Sequence, residues 1–279
     1  MYEIPGRLTK RHRAHSTRTG KSDPIDARSI AEVVLRENDR LGRYYGDDVH
    51  EELRLHYDHR DQLVNARIQA INRLRTAAFR LELGRLPRDL YRAKALRLIE
   101  QRAGQLDASI PVVRAVLREL HFAIAAIRLY NEQIAEVETA LHPLAERFPE
   151  LMRITGVSSI VAAGLIGHTG DVRNIRNADA FDMRSGVAPL PCSSGRSSRT
   201  RLNKGGNRQL NRLLHTIAVV QRRIAGHVGQ EYYRKKLGEG KAPAAALRSL
   251  KRRLATVVYY RLFADYAALP TSPPSSLAA

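Results

Sequence analysis

Several residue types that anchor or cross-link proteins are scarce in this chain. Of its 279 residues, one is cysteine, none is tryptophan and five are phenylalanine. A single cysteine excludes an internal disulfide and a zinc site made of several cysteines. No apolar stretch approaches the ~20 residues that span a bilayer, and the start, MYEIPGRLTKRHR, lacks the apolar core of a signal peptide. These absences predict a cytoplasmic protein with no membrane partner.

Acidic residues are absent between Asp182 and Glu231. The first half of this interval, GVAPLPCSSGRSSRTRLNKGGNR, is instead basic and is expected to form a loop before the next helix. Over the whole chain, Lys and Arg exceed Asp and Glu by 19. A positive field without local neutralisation attracts a polyanion such as a nucleic-acid backbone. A solvated basic face is the alternative, and composition alone favours neither.

Apolar periodicity predicts a mainly α-helical chain. One helix is expected to begin near Pro24. Two long patterns, from about Val49 to Leu83 and from Val113 to Leu141, flank a break at Gly84 to Pro87 and a shorter helix near Asp89 to Ala103. Two long helices with few aromatic residues predict an antiparallel hairpin or coiled coil, which is also able to carry a dimer interface.

The second half of the chain differs in composition. Pro143 and Pro149 are expected to end the coil, which puts a boundary near residue 148. The following LMRITGVSSIVAAGLIGHTGDV resembles a helix-hairpin-helix element, whose glycine turn offers N–H groups to a phosphate. A small-residue helix packed tightly in a core is the alternative. Asn207 is a natural N-cap, and Arg208 and Arg212 lie one turn apart on that helix, a spacing able to straddle a phosphate.

Two kinds of reactive side chain stand out. Asp23 and Asp26 are three residues apart at a helix entrance and are able to share a Mg²⁺ ion, although acids that simply cap a helix are commoner there. Ser193 and Ser194 lie beside the basic side chains and are candidate nucleophiles. Cys192 ranks below them, because the sequence supplies no obvious base for it.

Four short motifs and a charged coil occur in a distinctive order. KSDPIDA at 21–27 precedes a charged coil, ITGV with its small-residue helix follows, and then come GVAP-x-x-x-SSG at 186–195 and GGNR-x-L at 205–210. Together they resemble the DEDD-type insertion-sequence transposases, relatives of the Piv site-specific invertases that include bridge-RNA-guided serine recombinases. The resemblance covers essentially the whole chain.

This resemblance implies a RuvC-like α/β domain whose four acids hold Mg²⁺, and a C-terminal domain whose serine becomes joined to DNA. By motif, Asp23 and Asp26 match the last two acids, and Ser194 matches the nucleophile with Ser193 as its close rival. The implied partners are DNA, a guide (bridge) RNA and further copies of the chain as a dimer or tetramer, at the bacterial nucleoid. The expected nucleic-acid contacts are Lys21, Arg196, Arg199, Lys204, Asn207, Arg208 and Arg212.

The start of the chain departs from the family pattern, since the first Asp and the Glu have no counterpart. We therefore expect an N-terminally truncated, impaired transposase with an incomplete Mg²⁺ ligand set. A non-catalytic nucleic-acid-binding remnant and a plain coiled-coil protein are the alternatives. The expected segments are the end of a RuvC-like domain at 1–47, a helical coiled coil at 48–147, a helical C-terminal domain at 148–268 and a disordered tail at 269–279.

Overall fold

A computed structural model describes residues 2–3, 23–37, 41–43, 49–194, 197–203 and 205–269. These residues are mainly helical, which confirms the predicted class. The helices are α1 (Asp23–Glu37), α2 (Val49–Arg80), α3 (Ala93–Ala103), α4 (Pro111–Glu146), α5 (Pro149–Met152), α6 (Ser159–Thr169), α7 (Ala178–Arg184), α8 (Arg208–Arg223), α9 (Val228–Gly238) and α10 (Pro243–Ala268). The strands are β1 (Tyr2–Glu3), β2 (Gly42–Arg43), β3 (Pro189–Ser194) and β4 (Ser197–Leu202).

The chain divides into two compact units. The terminal unit consists of Met1–His50, Phe148–Gly156 and His168–Ala279, and the hairpin unit consists of Glu51–Arg147 and Val157–Gly167. In the part of the chain that the structure describes, no helix is long and apolar enough to cross a membrane. The tail at 270–279 lies outside the described residues, and the RuvC-like character of the first segment stays a prediction.

The hairpin unit is built on helices α2 and α4. Their side chains meet in three places: Arg60 Nε to Glu138 Oε1 at 2.6 Å, Arg67 Nη1 to Asn131 Oδ1 at 2.8 Å, and Arg80 Nη1 to Glu119 Oε2 at 3.4 Å. Partner numbers fall along α4 as they rise along α2, so the two helices run antiparallel. Apolar residues at helical spacing form the core between them, and Leu74, Leu120 and Ile127 are fully buried. Coiled-coil packing in the strict sense stays a prediction.

Two details of the hairpin unit concern residues that the sequence analysis singled out. Pro143 was expected to end the second long helix, but α4 continues through it to Glu146. Its neighbours Leu141 and Ala145 are fully buried, and this burial offsets the single backbone hydrogen bond that proline removes. In α6, a Cβ added to Gly167 would lie 2.6 Å from the Cα of Arg54, so this glycine permits close helix packing. The helix-hairpin-helix interpretation stays a prediction.

The terminal unit is organised around its last helix, α10. This helix packs against α5, α7, α8 and α9, and its apolar face is buried along its length, as at Leu254 and Val258. The Tyr259 hydroxyl donates to the carbonyl of Ile175 at 3.1 Å, which satisfies its polar atom inside the core. The side chains of the core therefore fix the position of every surface residue that α10 carries.

A buried carboxyl group joins α10 to the short helix α5. The backbone N–H groups of Glu150 and Leu151 donate to the two carboxylate oxygens of Asp265, each at 2.9 Å, and Asp265 is 3% exposed. Burial raises the pKa of Asp265, and the two backbone hydrogen bonds oppose that rise in pKa. The Asp265 carboxyl group thus caps the first turn of α5, although it lies more than a hundred residues later in the chain.

The basic stretch that was expected to be a loop is an antiparallel ribbon. Strands β3 and β4 pair from Pro189 opposite Leu202 to Ser194 opposite Ser197. The loop expectation was wrong at this point, because a two-residue Gly-Xaa connection between Ser- and Thr-containing segments favours a tight hairpin. The connecting residues, Gly195 and Arg196, lie outside the described residues.

Two glycines from separate motifs meet at the base of this ribbon. A Cβ added to Gly206 would lie 2.3 Å from both the Cα and the N of Gly186, and 3.1 Å from the carbonyl oxygen of Arg184. The Asn207 N–H donates to that same carbonyl at 2.7 Å. The segment before β3 and the segment before α8 are therefore in direct backbone contact. Only glycine fits at position 206, because any Cβ there would clash with this backbone.

We expect Gly206→Ala to lower the free energy of unfolding by about 1–3 kcal/mol, because the new methyl group meets backbone atoms that have no room to move. Gly205→Ala is the matched control. Its Cβ would lie 3.6 Å from the Asn203 Oδ1, an ordinary contact, so a change below about 0.5 kcal/mol is expected. Urea unfolding followed by circular dichroism measures both variants, and equal stabilities would contradict the close approach.

We expect Asp265→Asn to destabilise the protein by about 1–3 kcal/mol at neutral pH, because an amide NH₂ replaces one acceptor facing a buried N–H. The pKa of Asp265 is raised in the folded state, so protonation favours folding. The wild type's advantage over Asp265→Asn should therefore grow as the pH falls through this raised pKa, and level off below the unfolded value of about 3.9. Unfolding titrations at several pH values test this trend, and an advantage that shrinks on acidification would contradict it.

Candidate nucleic-acid interface

The register of the ribbon separates the two candidate serines. Ser194 pairs with Ser197, Cys192 with Arg199 and Leu190 with Arg201, whereas Ser193 pairs with Ser198. Successive strand positions alternate between the two faces of a ribbon, and paired positions share a face. The position of Ser194 is therefore on the same face as those of Arg199 and Arg201, and Ser193 is on the other.

A basic pocket of about 710 Å³ opens at the base of the ribbon, entirely within the terminal unit. Its cationic lining residues are Arg201, Arg208, Lys241, Arg248, Lys251 and Arg252. The other lining residues come from the Gly186 turn and the start of β3, the Gly206 turn, α8 and α10, and none of them is Asp or Glu. Six cations around one concavity focus a positive potential into it.

Asparagine side chains hold the turns that shape this pocket. The Asn203 amide donates to the carbonyl of Met183 at 2.9 Å and accepts from the Gly205 N–H at 3.0 Å. Asn207 caps α8 as predicted, its Oδ1 accepting from the N–H groups of Gln209 and Leu210 at 2.9 and 3.2 Å. The amide oxygen of Asn207 already accepts these two hydrogen bonds within the fold. Only the rest of the Asn207 side chain is left to contact a ligand.

A buried lysine lies against the pocket. Lys251 is 9% exposed, and its Nζ donates to the Oδ1 of Asn211. The Asn211 Nδ2 in turn donates to the carbonyls of Ser185 and Gly186, each at 3.1 Å. Burial lowers the pKa of Lys251, and the neighbouring Arg248 guanidinium lowers it further. One asparagine therefore ties this ammonium group to the turn that leads into β3.

Arg252, one of the pocket cations, has a carboxylate partner. The Arg252 Nε donates to the Oδ2 of Asp182 at 3.1 Å, and Asp182 is 3% exposed. Burial raises the pKa of Asp182, and the Arg252 guanidinium opposes this effect. Burial lowers the pKa of His215, and the nearby cations Lys251 and Arg222 lower it further. The local charge therefore stays strongly positive.

The structure brings only part of the predicted nucleic-acid set to this pocket. Arg208 lines it, and Arg212 is exposed one turn later on α8 but is not among the lining residues. Lys21, Arg196 and Lys204 lie outside the described residues. For Ser193, Ser194 and Arg199 the described part is the backbone, so their predicted roles stay predictions.

The predicted metal ligands both lie at the start of α1. Asp23 is its first residue and is exposed, and Asp26 is half-buried in its first turn. Among the described residues there is no group of three or more His, Cys, Asp and Glu side chains placed to hold a metal ion. Two carboxylates fit a Mg²⁺ ion that keeps several of its waters. The magnesium site therefore stays a prediction.

Sequence reasoning missed the cations of the last helix. Arg248, Lys251 and Arg252 are not among the nucleic-acid contacts that were predicted from the sequence. Their spacing of three and four residues places them on one helical face, and this spacing was the available signal. What the spacing alone does not reveal is which other element that face meets.

Comparison with known proteins agrees with the motif order. A family model described as "Transposase IS116/IS110/IS902 family" matches residues 149–234, and a model of the IS110-type DEDD transposases, described as "Transposase", matches residues 1–79. The first match contains the ribbon, all of α8 and most of α9, and the second contains α1 with Asp23 and Asp26. The matched segments therefore hold the predicted site residues.

Three curated proteins illustrate the similarity. The transposase for insertion sequence element IS1328 of Yersinia enterocolitica is 30% identical over 71% of this chain, which spans 58% of that relative's length. The IS900 42 kDa protein of Mycobacterium paratuberculosis is 28% identical to this chain, and the IS116 44.8 kDa protein of Streptomyces clavuligerus is 24% identical. Each of these two matches covers 93% of this chain and 75% of the relative's length. On these matches, at both ends of the chain and in the predicted order, the chain is similar to the IS116/IS110/IS902 family of transposases over residues 1–79 and 149–234.

Proposed function

We propose that this chain acts on DNA as a transposase or site-specific recombinase, and that Ser194 is its nucleophile. The observation that carries this proposal is the ribbon register. Ser194 shares a ribbon face with Arg199 and Arg201, and the basic pocket lies at the base of the same ribbon. The family match over 149–234 supports the assignment, because it includes this ribbon.

The proposed reaction exchanges one phosphodiester bond for another. The Ser194 Oγ forms a bond to phosphorus, the bond from phosphorus to the leaving deoxyribose oxygen breaks, and the hydroxyl proton ends on that oxygen. Basic side chains hold the non-bridging oxygens and offset their developing charge. The resulting phosphoserine link retains the energy of the broken bond, so a second deoxyribose hydroxyl is able to reverse the step and join a new strand.

Asp23 and Asp26 are the proposed metal ligands of this chain. A bound Mg²⁺ ion supplies charge stabilisation on the phosphoryl and leaving oxygens. The two carboxylates at the entrance of α1 would hold that ion together with water. We also propose, from the family resemblance, that a guide RNA selects the DNA target and that the chain works as a dimer or tetramer.

A non-catalytic nucleic-acid-binding protein is the second candidate function. The observation that favours it is that the described residues place no third carboxylate, histidine or cysteine with Asp23 and Asp26. Such a protein would show salt-sensitive DNA binding, because phosphate contacts release counterions, but no strand cleavage with or without Mg²⁺. The cleavage assay for Ser194 separates the two candidates.

We expect Ser194→Ala to abolish the covalent protein–DNA adduct, because the attacking oxygen is removed while the ribbon backbone is kept. The assay incubates the full chain with a labelled duplex of an insertion-sequence end, guide RNA and Mg²⁺, and detects the adduct by denaturing electrophoresis. Ser193→Ala is the matched control, one residue away on the other ribbon face, and should retain the adduct. Adduct formation by Ser194→Ala with loss in Ser193→Ala would reverse the assignment.

We expect Asp26→Asn to reduce adduct formation by about tenfold or more, since even outer-shell partners of a metal commonly contribute that much. DNA affinity should be unchanged, because the residue is proposed to act on the metal and not on the DNA backbone. Raising the Mg²⁺ concentration should restore part of the activity. A loss of activity that no Mg²⁺ concentration restores, with an altered helix content, would indicate instead that Asp26 only caps α1.

A further inference from the structure

The pocket at the base of the ribbon draws its charge from three different parts of the chain. Arg201 comes from β4, Arg208 from the start of α8, and Lys241, Arg248, Lys251 and Arg252 from α10 and the turn that precedes it. Charges that only solubilise a surface spread over convex faces. Here they converge on one concavity of about 710 Å³, which is larger than a single phosphate group needs.

Lys251 is the least expected member of this group. Taking an ammonium group out of water costs several kcal/mol unless an opposite charge compensates it. Its described partner, Asn211, supplies an amide oxygen, which accepts a hydrogen bond but carries no net charge. The lowered pKa of Lys251 reflects this incomplete compensation. An anion in the pocket would supply the missing charge.

The kind of anion follows from the other side chains. Arg248 is exposed at the pocket and offers the planar fork of donors that matches phosphate oxygens, and Arg208 at the start of α8 adds a second fork. The pocket also adjoins the ribbon. Pro189, which lines it, is five residues from Ser194, or about 16 Å of strand at ~3.3 Å per residue.

We infer that this pocket is a phosphodiester subsite, in which Lys251 and Arg248 hold one backbone phosphate of a DNA strand that continues along the ribbon toward Ser194. The inference rests on the proposed function and adds to it a second anchoring point, away from the reacting phosphate. Asn211 is a positioning residue here, because it links Lys251 to the carbonyls of Ser185 and Gly186. A strand held in this way enters the ribbon in a defined register.

The test measures DNA binding by fluorescence anisotropy as a function of salt. The probe is a labelled duplex of the insertion-sequence end, and Lys251→Met keeps the length of the side chain while removing its charge. We expect the slope of log K against log salt to fall by about 0.9, the value for one phosphate contact on duplex DNA. Lys235→Met is the matched control, because Lys235 is an exposed residue of α9 outside the pocket lining, and it should leave the slope unchanged.

A second arm locates the contact on the DNA. Methylphosphonate groups are placed in the probe DNA so that each probe has one neutralised phosphate. At one or two positions this substitution should lower the affinity of the wild type for the DNA but leave the affinity of Lys251→Met unchanged. This non-additivity is the signature of a direct partner, and a general loss of charge does not produce it. Arg248→Gln repeats both arms with an exposed residue, so the test stands even where Lys251→Met does not fold.

The outcomes separate the subsite from the proposed function. The subsite alone is overturned if Lys251→Met and Arg248→Gln both bind DNA with the wild-type salt slope and the wild-type response to methylphosphonates. Lys251 is then a structural residue. An equal effect of Lys235→Met also overturns it, since nothing would then be particular to the pocket. Failure of the wild type to bind any DNA at low salt, or binding without an adduct, counts against the proposed function itself.

Discussion

The packing of the last helix, α10, is the constraint on which the terminal unit depends. Its apolar face is buried against α5, α7, α8 and α9, and Asp265 near its end caps α5 through two backbone N–H groups. The same helix carries Arg248, Lys251 and Arg252. Because burial leaves α10 a single rotational position about its axis, the location of these cations is a consequence of core packing. The site is thus built from the core outward.

The close approach of Gly186 and Gly206 plays the corresponding role for the backbone. It joins the GVAP motif to the GGNR motif, and Asn211 reinforces the junction by bonding to Ser185, Gly186 and Lys251. Glycine is required at position 206 for steric reasons, because backbone atoms occupy the space that a Cβ would fill. Two motifs far apart in a linear reading therefore form one structural unit that anchors the ribbon and the start of α8.

Much of the fold follows from local patterns. The helix that begins at Asp23, the two long helices and the Asn207 cap agree with apolar periodicity and capping preferences, which act within a few residues. The expectations that were wrong concern competition between local and distant forces. Pro143 remains helical because buried neighbours outweigh one lost hydrogen bond, and the basic stretch forms a ribbon because its two segments pair as antiparallel strands.

The sequence by itself determined the resemblance to a transposase family, the helical class and the two candidate chemistries, a serine beside basic residues and a pair of carboxylates. Motif order and composition carry this information without any knowledge of distances. Only the tertiary structure decided that Ser193 and Ser194 take opposite faces of a ribbon, and that Lys251 meets Asn211 and lines a pocket with Arg201 and Arg208. The physical reason is that a pocket assembled from three distant segments depends on the packing of buried side chains between them.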